Sequence, residues 1–156
     1  MSISNASSAA APQGRGSLSN NARSDSSGAL ALMEHAADAE VFESDTFLNR
    51  CMGNLPLAKT VLHKFKAQFL KEVEDMRLGF QREDTSALTR IAHRLKGASA
   101  SVSAQSLALL FSSIEEASRA SRLNEVQQNL DMLQPEWDRF WEHAVLFIQQ
   151  NVAVNA

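Results

Sequence analysis

A single cysteine, Cys51, occurs in 156 residues, so no internal disulfide can form and a reducing compartment is expected. No apolar run approaches the ~18–20 residues that a membrane span requires. The N-terminus has no hydrophobic stretch behind basic residues, since "NASSAAAP" is a string of small ones; no secretory signal is read, and a cytoplasmic location is expected. Excess positive charge is also missing: the formal net charge is -3, which leaves non-specific nucleic-acid binding without a basis. No segment alternates with period two, and the Asn-Gly and Asp-Gly signals of hairpins are absent, which argues against a sheet. The GxxxxGK[ST] loop is missing too, as are the H-x3-H, C-x2-C and Glu-x-x-His spacings of metal sites. Neither nucleotide, metal nor other cofactor is therefore expected.

What remains is a chain that is 44% hydrophobic, enough for one domain with a real core. Residues 1–28 are dominated by Ser, Ala, Asn and Gly and cannot offset their ordering entropy, so a disordered tail is predicted there. Residues 29–39, "ALALMEHAADA", read as a lead-in with marginal helical character. The domain is predicted over 40–151. A short first helix is expected after Ser44 or Asp45 and should stop near Gly53-Asn54. Pro56 fits the opening turn of a second helix, whose apolar stripe is Val61, Leu62, Phe65, Phe69, Val73, Met76 and Phe80.

Asp84 is a good N-cap for a third helix carrying Leu88, Ile91, Ala92, Leu95, Ser99 and Val102. A fourth carries Leu107, Leu110, Phe111, Ile114 and Ala117. A fifth, starting near Arg122 with Ser121 as its cap, runs from Val126 past Trp137, Phe140 and Trp141 to Ile148; Pro135 inside it should kink or divide it. Only a few residues join the long helices, so neighbours are antiparallel. The predicted fold is all-α: an up-and-down four-helix bundle with a short extra N-terminal helix.

The stretch "IAHRLKGASAS", residues 91–101, carries the chemistry. On the third helix His93 falls about 160° from the centre of the buried stripe and points into water. Thr89 and Arg90 lie one turn before it, Lys96 and Gly97 one turn after, and Ala100 a turn further. A glycine in a helix interior costs roughly 1 kcal/mol against alanine, and close approach of another molecule to the backbone would explain it. An exposed imidazole with a reference pKa near 6.5 keeps a lone pair at neutral pH and is a competent nucleophile towards phosphorus. Lys96 can meet phosphoryl oxygens, and Arg90 and Arg94 add positive potential. His35, His63 and His143 have no lysine and glycine at the same offsets and read as bland.

The string His93-Arg94-Leu95-Lys96-Gly97-Ala98-Ser99-Ala100 resembles the H-x-[LI]-K-G-[SA]-[SA]-A signature of histidine-containing phosphotransfer (HPt) domains, the relay modules of multistep two-component signalling. The resemblance covers about residues 40–150. It implies that His93 takes a phosphoryl group from a receiver-domain aspartate and passes it to another, the two receivers belonging to a hybrid sensor kinase and a response regulator. It also implies that Lys96 neutralises the phosphoryl oxygens, that Gly97 leaves room for the docking receiver, and that Gln68 on the second helix contacts the imidazole or the phosphoryl group. Helical register and resemblance together place docking on Phe47, Leu48, Leu55 and Ala100. Where the family usually has glycine, ten residues after the histidine, this chain has Ser103, which could cap the next helix.

Lacking a nucleotide site and an acidic cluster, the bundle is expected to have no kinase activity of its own; metal and aspartate would come from the receivers. It closes its own core, so a monomer is expected. A rival reading is a helical adaptor that docks a signalling partner without phosphoryl transfer. Such a module has no need of Lys96 and Gly97 flanking an exposed histidine.

Overall fold

The computed structural model describes residues 40–154; the tail expected at 1–28 and the lead-in at 29–39 lie outside the described residues. Five helices follow in order: α1 (Ser44–Arg50), α2 (Leu55–Gln81), α3 (Thr85–Ser101), α4 (Gln105–Arg119) and α5 (Leu123–Val154). Among the described residues there is no strand, and no helix is long and apolar enough to cross a membrane. The α2–α3, α3–α4 and α4–α5 connections are three residues each, 82–84, 102–104 and 120–122. Joints this short force consecutive helices to reverse, and packing of α2 against α5 closes the ring into an antiparallel four-helix bundle.

The stripes read from the sequence are the core. Leu62, Phe65, Phe69, Val73 and Met76 of α2 meet Leu88, Ile91, Ala92 and Leu95 of α3, with Phe111 and Ile114 of α4 and Trp137 and Phe140 of α5. Phe69 stacks on Trp137 with ring centroids 3.9 Å apart, and Trp137 stacks in turn on Trp141. At one end Phe42, Phe47, Phe140 and Phe147 form a second aromatic cluster. Phe47 is only 1% exposed there. The expectation that it helps to dock a partner is corrected: it anchors α1 to the bundle.

Pro56 lies in the first turn of α2 and Asp84 caps Ala87 N–H at the start of α3, as anticipated, while Asn54, read from the sequence as part of the end of the first helix, is instead the N-cap of α2 and accepts from Leu57 N–H. The helix ends do not follow the anticipated residues. Met52, Glu83, Ser103 and Ser121 all adopt left-handed backbone, with φ between 54° and 58°. Each is followed by a residue whose N–H reaches back five positions: Gly53 to Leu48, Asp84 to Gly79, Ala104 to Ser99, Arg122 to Ala117. This is the Schellman closure, with a non-glycine residue at the position that usually favours glycine.

Three expectations change in consequence. α1 ends at Arg50, ahead of Gly53. Ser121 closes α4 instead of capping α5. Ser103 does not cap α4, whose N-cap is Ala104 without a side-chain hydrogen bond. Ser103 is fully buried, its hydroxyl has no partner, and its carbonyl accepts from Glu43 N–H, tying the segment ahead of α1 to the α3–α4 turn. Finally, Pro135 does not divide α5, which is one helix of 32 residues. The proline lies on the exposed side, where the carbonyl it deprives of a partner can turn to water.

Candidate functional site

α3 packs its stripe inward, and the same turn of helix leaves His93 on the outside with its side chain 65% exposed. Its Nδ1 lies 2.9 Å from Oε1 of Glu115 on the neighbouring α4. Glu115 is the opposite case, a carboxylate with its side chain only 3% exposed. It sits within the buried face of α4, where Phe111 and Ser118 are its neighbours at helical spacing and the adjacent Ile114 is buried as well.

A buried carboxylate is costly unless it is paired and fully hydrogen-bonded. Glu115 has three partners. Lys96 Nζ donates to Oε2 at 2.6 Å, Arg119 Nη2 donates to Oε1 at 2.6 Å, and His93 reaches Oε1 as well. Burial by itself would raise its pKa. The hydrogen bonds from Lys96 and His93, together with the charges of Lys96 and Arg119, outweigh burial and hold the carboxyl below its ordinary value.

An ionised carboxylate can only accept, so the ring nitrogen facing it must carry the proton. His93 is thereby fixed as the Nδ1–H tautomer when neutral. Its lone pair is on Nε2, for which there is no partner among the described residues and which belongs to the exposed side chain. This is the pattern by which a second group orients an imidazole and sets which nitrogen reacts.

The other anticipated residues divide. Lys96 is beside the histidine and is bridged to it by Glu115. Gly97 is exposed, and a Cβ built on it would meet nothing within 4 Å, so nothing inside the fold demands a glycine there. Arg90 is exposed one turn before His93. Arg94 instead turns towards α2, its Nε 3.4 Å from Glu72. Gln68 is placed there too and donates to Glu72 Oε1 at 3.2 Å, a partner other than the imidazole.

Leu48 and Leu55 are half-buried against the core, and Ala100 is half-buried with its carbonyl accepting from Arg50. Met52, 85% exposed at the turn between α1 and α2, is a free apolar side chain that sequence reasoning passed over. Of the other histidines, His63 makes an edge contact with Trp141 and His143 is exposed, while His35 lies outside the described residues. Among the described residues no group of His, Cys, Asp or Glu gathers as metal ligands.

Glu115 and Arg119 were not anticipated. The available signal was a charged residue inside the apolar stripe of α4, which calls for a partner across the bundle. Periodicity alone does not name that partner.

A model of the Hpt domain family matches residues 60–144, more than half of the chain and including α3, α4 and every member of the His93–Glu115–Lys96–Arg119 cluster. Neither curated proteins nor solved structures gave a significant match. An exposed imidazole oriented from behind on a four-helix bundle is what a phosphoryl-carrying module requires, and by the family match the chain belongs to the Hpt domain family, the histidine-containing phosphotransfer modules that work with receiver domains in phosphorelays.

Proposed function

We propose that this protein is a phosphorelay intermediate whose carrier atom is Nε2 of His93, taking a phosphoryl group from the aspartyl phosphate of one receiver domain and passing it to the aspartate of another. The observation that carries this reading is the 2.9 Å contact from His93 Nδ1 to Glu115, because it leaves the outward nitrogen as the nucleophile. In the forward step the Nε2 lone pair forms a bond to phosphorus while the bond from phosphorus to the aspartyl oxygen breaks, and the aspartate leaves as carboxylate. The ring now bears a positive charge, which Glu115 compensates through Nδ1–H. The return step is the same exchange in reverse, with a second aspartate as nucleophile.

Lys96 has three N–H donors. One meets Glu115, and the rest are available to phosphoryl oxygens. Gly97, without a side chain one turn along, allows the receiver's loops to approach the helix backbone. Leu48, Leu55, Met52 and Ala100 supply apolar surface on the α1 side of the same region.

Purified protein incubated with a phosphorylated receiver domain is expected to gain acid-labile, base-stable label, and His93→Gln is expected to remain folded and gain none. A protein that binds the receiver but takes no label would be an adaptor instead.

A further inference from the structure

We infer that a second site, beside His93 but separate from the carrier nitrogen, takes an oxyanion. A cleft of about 410 Å³ opens beside the first two turns of α3 and the last turn of α4, lined by Thr85, Ser86, Thr89, Arg90, Ser118 and Arg119. No carboxylate lines it. Its walls are two guanidiniums and four hydroxyls, a set of donors that matches a carboxylate or phosphate group.

Two of these groups lack what they need. Ser118 is 1% exposed, and its Oγ has no hydrogen-bond partner, an unusual condition for a buried hydroxyl. Arg90 is exposed and has no ion pair among the described residues, whereas Arg94, Lys96 and Arg119 on the same two helices are all paired. The Thr89 hydroxyl is committed to the Thr85 carbonyl, and Asp84 takes the Ala87 N–H. The donors left for a ligand are therefore mainly the guanidiniums and the hydroxyls of Thr85, Ser86 and Ser118.

Arg119 belongs to both sites. One of its nitrogens holds Glu115, which holds His93, and the rest of its fork is free to face the cleft. Occupation of the cleft is thus coupled to the imidazole through Arg119 and Glu115. The oxyanion has two possible sources: free phosphate, or an acidic side chain on the docked protein, which would reach the cleft because Arg90 is only one turn from His93.

Titration of the full chain with inorganic phosphate, followed by amide and histidine-ring NMR, tests the site. Free phosphate as occupant gives saturable movement of the Thr85, Ser86 and Thr89 amides, with the His93 ring signals moving at the same midpoint. This binding is weakened at least tenfold by Arg90→Gln and kept in His93→Gln, so it stands or falls independently of phosphoryl transfer. A side-chain carboxylate as occupant gives no saturation with phosphate, but an at least fivefold loss of receiver-domain affinity in Arg90→Gln that Arg77→Gln on α2 does not share. Phosphate shifts that are unsaturable or unaffected by Arg90→Gln, with receiver affinity equal in the two arginine variants, overturn the inference.

Discussion

His93 and Glu115 lie 22 positions apart in the chain and 2.9 Å apart in the fold, one side chain mostly in water and the other almost wholly out of it. The pair makes the reactivity of an exposed residue depend on a buried one. Replacing Glu115 by Gln keeps the shape but removes the charge that the imidazolium needs and allows either tautomer. Phosphoryl transfer to His93 is expected to slow by about ten- to a hundredfold, the usual cost of losing the group that orients a functional histidine. A quantitative time course with a phosphorylated receiver checks this, and circular dichroism confirms that the bundle persists.

The same carboxylate makes stability depend on acid. Its pKa is held below the ordinary 4.5, so the folded state binds the proton less readily than the unfolded chain. The stabilisation is complete above the unfolded value and is lost as pH falls through the folded one. Urea midpoints measured from pH 7 down to pH 3 are expected to fall over that acidic window, and Glu115→Gln is expected to flatten the dependence while being less stable at pH 7. Its two cations, Lys96 and Arg119, would have lost their counter-charge.

Ser103 offers a gain. Left-handed backbone costs an L-residue roughly 1–2 kcal/mol, and the buried hydroxyl lacks a partner. Glycine removes both penalties at an entropic cost of about 0.5–1 kcal/mol. Ser103→Gly is expected to stabilise the protein by about 1 kcal/mol in chemical denaturation, without altering phosphoryl transfer.

Gly97 separates folding from docking. Because its surroundings are open, Gly97→Leu should raise helix propensity and leave stability equal or higher by up to about 1 kcal/mol. Transfer from a receiver is expected to fall at least tenfold on steric grounds. Thermal denaturation beside a transfer assay distinguishes the two effects, and full transfer by the leucine variant would remove the steric role.

Much of this was legible in the sequence because helical burial repeats every three or four residues. The stripes on α2 to α5 are the core, and the exposure of His93 follows from the position of Leu88, Ile91 and Leu95 on α3. Helix ends were less legible. Their signal is a glycine at the left-handed position, yet Met52, Glu83, Ser103 and Ser121 occupy it, each followed by a back-reaching N–H, and only Ser103 is also buried. Phe47 was misplaced for a related reason: an apolar residue on a seven-residue helix can face a partner or the core, and only the packing of Phe42 and Phe147 decides which. The site was legible along α3, where Lys96 and Gly97 share a face with His93. It was illegible across helices, where Glu115 joins His93 through the bundle and Arg94 and Gln68 turn away to Glu72.

The most direct test of the account is the position of the phosphorus bond in the labelled protein, read from nitrogen–phosphorus coupling on the His93 ring after transfer from a receiver domain. The account expects phosphorus on Nε2, with Nδ1 still protonated towards Glu115. Phosphorus on Nδ1, or on any residue other than His93, would contradict it.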